Sequence, residues 1–182
     1  MITSVLLGLG SNQNRAFHID AALTALAERF GVLQVSRVFE SEAVGCRADN
    51  YFNLVVALET DLALEELFAW LKRLEDRYGR DRQHRRSDQN LDIDILLYGD
   101  RVGDFGGIEL PRPDILRNAF VLRPLAELIP QRLHPVVARS YAELWQEYDR
   151  DQRLWPIDFH WRGEKISWSD SANADSEQVA SC

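Results

Sequence analysis

Apolar runs and helical stripes succeed one another along the chain in a regular order. Residues 4–9, SVLLGL, are an apolar run closed by Gly10, which predicts a buried strand. From Asn14 the spacing changes: Ile19, Leu23, Leu26 and Phe30 recur at three and four residues, one face of a helix that Gly31 ends. VLQVSRVF (32–39) alternates as a half-buried strand does, and the small, polar stretch 41–50 reads as loop. YFNLVVALET (51–60) returns to strand chemistry, with Tyr51, Asn53, Val55, Ala57 and Glu59 on one face.

A second helical stripe runs through Leu64, Leu67, Phe68, Leu71, Leu74 and Tyr78. Asp61 is placed to cap it, Glu65 and Glu66 suit its first turn, and Gly79 stops it. A loop over 80–90 leads to NLDIDILLYG (90–99), a strand with two acids in its front end. LPRPDILRNAFVLRPLAELIP (110–130) is punctuated by prolines and predicts loop and short helices. Ser140 with Glu143 forms a capping box for a last helix over 141–150.

The order strand–helix–strand–strand–helix–strand predicts an α+β fold, a ferredoxin-like antiparallel sheet with packed helices on one face. It is not a doubly wound order, and neither a Walker A pattern nor GxGxxG is present, so any nucleotide must be held another way. Residues 1–161 are expected to form one domain, and the Ser/Asp/Ala-rich 162–182 a disordered polar tail.

Composition narrows the classes. With 46% hydrophobic and 27% charged residues, the 182-residue chain is an ordinary globular protein long enough to bury a core. A net charge of −8 argues against non-specific binding to nucleic acid or to an acidic membrane surface. A ferredoxin-like RNA-binding module is disfavoured too, because the strands lack paired exposed aromatics flanked by basic residues. Cys46 and Cys182 suggest neither a disulfide framework nor a metal knuckle, so a reducing cytoplasm fits best. No signal peptide and no run of membrane-spanning length is present.

Candidate chemistry begins with Asp92 and Asp94, which share one face of their strand and stand close enough to share cations. Two unpaired carboxylates there repel, and magnesium removes the repulsion. A solvated strand end explains such a pair about as well when taken alone. Upstream, Arg77, Arg80, Arg82, Arg85 and Arg86 crowd into ten residues, with His84 among them, in a protein that is acidic overall. Arginines suit phosphate oxygens, and cations beside carboxylate-bound magnesium are the equipment of phosphoryl transfer. GLGSN (8–12) ends the first strand with small residues where a ligand can approach the backbone. Tyr51 and Asn53 offer a flat ring and an amide suited to a planar heterocycle.

Taken together, GSN, YFNLVVALET, LEDRYGR, LDIDILLYG and FVLRPLAELIP resemble the 6-hydroxymethyl-7,8-dihydropterin pyrophosphokinase family over roughly residues 3–135. The resemblance implies an α/β/α pyrophosphokinase core. It also implies transfer of pyrophosphate from ATP to the pterin hydroxymethyl group, with release of AMP, in folate biosynthesis. It implies two magnesium ions on Asp92 and Asp94, with Arg80 and Arg82 in a loop that closes over ATP. Glu75, Arg82, Arg112 and Arg117 fall to the nucleotide, and Ser41, Val44, Tyr51, Asn53 and Phe120 to the pterin pocket. Small-molecule partners only and a monomeric, cytoplasmic protein are expected. The chain departs from the family pattern at Gln89, where an arginine is usual, and at Arg112, where a histidine is usual. Further departures are Asn118, Glu42-Ala43 in place of paired prolines, and a loop without an aromatic ring between Arg80 and Asp92. These leave open a pterin- or nucleotide-binding paralogue with an altered substrate or without turnover.

Overall fold

The computed structural model describes residues 1–43, 49–79 and 90–170. Its first half follows the predicted order: β1 (Thr3–Ser11), α1 (Arg15–Phe30), β2 (Gln34–Val35), β3 (Phe39–Ser41), β4 (Tyr51–Thr60), α2 (Leu64–Arg77) and β5 (Asp92–Tyr98). A hairpin of β6 (Gly103–Phe105) and β7 (Ile108–Leu110) follows, then α3 (Asp114–Arg117), α4 (Ala119–Leu128) and α5 (Tyr141–Gln146). β8 (Leu154–Pro156), β9 (Phe159–Trp161) and β10 (Glu164–Ser167) complete the described elements.

The main sheet runs β5-β1-β4-β3-β8, with β2 also on β4, and its pairings are antiparallel. This is the ferredoxin-like order with β8 added at one edge. Side-chain alternation decides how it is covered. Val5, Leu7 and Leu9 of β1, with Leu54 and Val56 of β4, face α1 and α2, where Ile19, Leu23, Leu67 and Leu71 are buried against them. Leu6 and Val55 point to the opposite face, and there Ile115, Leu122, Leu125 and Tyr141 of α3, α4 and α5 close over them. Helices therefore cover both faces, not one. Strands apolar on both sides require this second layer, and the proline-punctuated segment supplies it.

Local differences from expectation have identifiable causes. The single strand expected over 32–39 is split into β2 and β3 at Ser36, whose hydroxyl accepts the Val55 N–H at 2.9 Å and displaces ladder pairing. α2 starts at Leu64 with Ala63, not Asp61, at its cap: Thr60 Oγ1 takes the Leu62 N–H, and Glu66 reaches back to the Ala63 N–H at 3.0 Å. Phe68 lies outside the buried stripe, 38% exposed beneath Lys72, and Glu75 is buried in its stead. The Ser140–Glu143 capping box forms, but α5 ends at Gln146 rather than near 150.

The polar tail begins later than residue 162. Residues 162–170 belong to the fold: β10 pairs β9, and Ser167 is fully buried, its hydroxyl accepting the Val38 N–H at 2.8 Å. Arg37 then binds Asp170 at 2.8 Å and Glu127 at 2.5 Å, fastening this segment beside the start of β3. Residues 171–182 lie outside the described residues.

Candidate active site

Glycines in the central strand make the site. On the α3–α4 face of β1 the sequence offers Leu6, then Gly8, then Gly10, so the face is filled at one end and hollow at the other. Register sets Asn53 of β4 and Asp92 of β5 on either side of Gly10. In the next row Val55 and Asp94 flank Gly8. A cavity of about 290 Å³ opens over this trough, with Phe120 and Val121 of α4 and Arg112 on its other walls. Side chains at the glycines would invade it: a Cβ on Gly10 would lie 3.1 Å from Asn53 Oδ1, tighter than ordinary contact.

One end of the cavity is internally bonded, and the one charged side chain in its wall, Glu42, lies 3.5 Å from Arg153. Asn53 Nδ2 donates to Ser41 Oγ at 2.8 Å, with both residues buried. The bond fixes the amide and leaves its carbonyl oxygen on the Gly10 side. Tyr51 and Phe120 add aromatic wall beside it. Such a combination of flat rings and an oriented amide suits a planar heterocycle with hydrogen-bonding edges.

The other end is charged. Asp92 and Asp94 project from β5 into the cavity as the i, i+2 spacing predicts. Arg112 is anchored by its own N–H to the Leu96 carbonyl at 3.0 Å. Its Nε donates to Asp114 at 2.6 Å, and Nη2 lies 3.5 Å from Asp94 Oδ1. Asn118 also lines the cavity and reaches Asp114 at 3.4 Å. Burial pushes the Asp94 carboxyl up to about 7, and the charge on Asp92 adds to the rise, while Arg112 and Lys72 oppose it. A hard divalent cation, completed by phosphate oxygens and water, fits the pair. Among the described residues, no group of three or more His, Cys, Asp or Glu forms a metal cluster by itself.

The structure gathers Ser41, Tyr51, Asn53, Phe120, Asp92, Asp94 and Arg112 around one cavity. Two expected nucleotide residues stand elsewhere. Glu75 is fully buried on the α2 side of β5, where its carboxylate accepts the Ile93 N–H at 2.7 Å. Arg117 closes α3 and does not line the cavity; its carbonyl accepts the Tyr148 hydroxyl at 2.9 Å. Val44, Arg80, Arg82 and the departure at Gln89 lie outside the described residues. Sequence reasoning missed Asp114, which orients Arg112; its signal was the acid two residues beyond Arg112 at a helix start. It also missed Lys72, visible only as a cation three residues before Glu75.

A ferredoxin-like sheet with a two-carboxylate strand end, a neighbouring guanidinium and an amide-and-aromatic pocket defines a phosphoryl-transfer class of small-molecule enzyme. The comparisons with known proteins are specific. The family model for 7,8-dihydro-6-hydroxymethylpterin-pyrophosphokinase matches residues 6–130, and the chain belongs to this family. The 2-amino-4-hydroxy-6-hydroxymethyldihydropteridine pyrophosphokinase of Aquifex aeolicus is 33% identical over 148 residues, covering 80% of this chain and 92% of the relative. The Pseudomonas aeruginosa protein of the same name is 37% identical over 135 residues, covering 71% of this chain and 83% of its own length. Among solved structures, wild-type Plasmodium falciparum HPPK-DHPS with pteroate superposes with a TM-score of 0.66 at 14% identity. That match covers 81% of this chain and 42% of the other, so this chain spans about two fifths of that protein. At such identity the likeness carries the fold alone.

Proposed function

We propose that this cleft performs the reaction of its family: transfer of pyrophosphate from ATP to the hydroxymethyl group of 6-hydroxymethyl-7,8-dihydropterin, in folate biosynthesis. As a family member the chain is an ATP-dependent diphosphotransferase. The observation that carries the assignment of residues is the trough itself. Gly8 and Gly10 separate an amide-and-aromatic end from a carboxylate-and-arginine end within one cavity.

Asn53, held by Ser41, orients the pterin edge, and Tyr51 and Phe120 cover its ring. Asp92 and Asp94 would hold magnesium, two ions in the full complex, which neutralises charge on the ATP phosphates. Arg112, locked by Asp114, presents the rest of its guanidinium to the same phosphates, and Arg80 and Arg82, by the family resemblance, would add charge there. The pterin hydroxyl oxygen bonds to the β-phosphorus in line. The bond from the β-phosphorus to the α–β bridging oxygen breaks, and its electron pair leaves on AMP. The hydroxyl proton passes to water. The work of the chain is positioning and charge stabilisation, as in other phosphoryl transfers.

A single domain that extends through residue 170, working as a cytoplasmic monomer on small molecules, is part of the same reading. The cavity supports the small-molecule partners. Among the described residues, no helix is long and apolar enough to cross a membrane.

Incubation with ATP, magnesium and the pterin, read by chromatography of nucleotides, tests the reading. AMP appears in step with pterin consumption. Binding of pterin and nucleotide without AMP release would instead identify a binding paralogue.

A further inference from the structure

Among the described residues, the strand that carries Asp92 and Asp94 is an edge of the sheet: β5 has β1 on one side and no described strand on the other. In an antiparallel pair, alternate residues turn their peptide groups toward the partner strand and away from it. Ile93, midway between the two acids, turns its N–H and C=O outward, and both are taken by one helix. Glu75 Oε1 accepts the Ile93 N–H at 2.7 Å, and Lys72 Nζ donates to the Ile93 carbonyl at 3.2 Å. Lys72 and Glu75 are themselves joined at 3.1 Å across one helical turn of α2. Glu75 is fully buried, and Ile93 is buried between them.

From this geometry we infer that Lys72 and Glu75 are positioning residues of the active site, a clamp on the Ile93 peptide that fixes the spacing and aim of Asp92 and Asp94. Neither touches substrate. They act through the backbone of the residue that links the two carboxylates. The inference rests on the metal-holding role given above to Asp92 and Asp94.

Edge satisfaction alone does not account for the choice of residues. A neutral acceptor and a water would quiet an exposed edge, whereas burying a carboxylate is costly and demands a partner. The chain places a charged pair here, where both atoms of one peptide are gripped at once. Peptide planarity then transmits the grip to the neighbouring Cα atoms. Outer-shell groups of this kind commonly alter metal affinity by about 10–100-fold when removed.

The test uses the full chain and Mn2+ as the probe, titrated by electron paramagnetic resonance in the presence of a non-hydrolysable ATP analogue. Pterin affinity is measured separately by fluorescence without metal. Glu75→Ala should weaken Mn2+ binding by about tenfold or more and leave pterin affinity unchanged. Glu75→Gln, which keeps an acceptor for the Ile93 N–H, should restore most of the loss. Equal losses at both ligands, or no loss of metal affinity, overturn the clamp. Should Glu75→Ala fail to fold, Lys72→Met carries the test, since it removes only the grip on the carbonyl. Weaker metal binding with unchanged pterin affinity supports the clamp, and unchanged metal binding contradicts it. If the unaltered chain itself binds no Mn2+ with the analogue, the metal role of Asp92 and Asp94 falls, and the clamp with it.

Discussion

The two ends of the cleft are built on opposite plans. At the end proposed for the pterin, Asn53 donates to Ser41, both are buried, and Tyr51 and Phe120 supply aromatic walls beside Glu42. At the end proposed for the phosphates, Asp92, Asp94 and Asp114 face the cavity with Arg112 among them, and burial raises the Asp94 carboxyl. One end is ordered by its own hydrogen bond, whereas at the other the Asp94 carboxyl is buried beside Asp92. On the proposed reading, a ring that needs orientation meets the first, and a polyphosphate with its cations meets the second.

This contrast can be broken at either end. Asp94→Asn should have the largest effect, lowering kcat by about 10³-fold, the rate equivalent of the several kcal/mol that metal-assisted charge stabilisation supplies. Pterin affinity measured without nucleotide should not change. Arg112→Ala comes next: kcat/KM for ATP should fall by about 10²-fold, as for loss of one oriented donor on developing charge. Arg112→Lys should recover little of it, because a lysine cannot keep the Nε bond to Asp114 while facing Asp94.

Gly10→Ala attacks the other end. Its methyl would meet Asn53 Oδ1 at 3.1 Å, so pterin affinity should drop about tenfold, the cost of about 1.4 kcal/mol in a displaced hydrogen-bonding group. Nucleotide affinity measured alone should remain.

A last effect is expected on stability against pH. The folded chain holds the Asp94 proton to about 7, whereas the ordinary value is 3.8. Between these values the native state binds more protons than the unfolded one, so stability falls as pH rises through this window. The penalty is absent below the ordinary value and complete above 7. Thermal unfolding of the ligand-free protein should show this slope, and Asp94→Asn should flatten it.

Much of this architecture is legible in the sequence, for local reasons. Alternation in YFNLVVALET assigns Asn53 and Val55 to one face, and the i, i+2 spacing of Asp92 and Asp94 does the same for the acids. The Ser140–Glu143 cap likewise needs no tertiary information. What escaped depends on contacts distant in sequence. The second helical layer follows from strands apolar on both faces, yet its location is set by Leu122 and Leu125 meeting Leu6 and Val55. Ser167 appears as one serine in a polar tail until Val38 is seen beside it. Glu75 aligned with a helix position near nucleotide, whereas its carboxylate is spent on Ile93. The glycines of GLGSN were legible as a place of close approach, but only the register with Asn53 and Asp92 shows what approaches.

The identity of the transferred group tests the account most directly. Phosphorus NMR of the reaction of the chain with ATP, magnesium and 6-hydroxymethyl-7,8-dihydropterin distinguishes every phosphorus by its neighbours. The account predicts AMP and a pterin diphosphate in equal amounts, with the β- and γ-phosphorus of ATP both on the pterin. ADP with a pterin monophosphate, or free phosphate with the pterin unchanged, would contradict it.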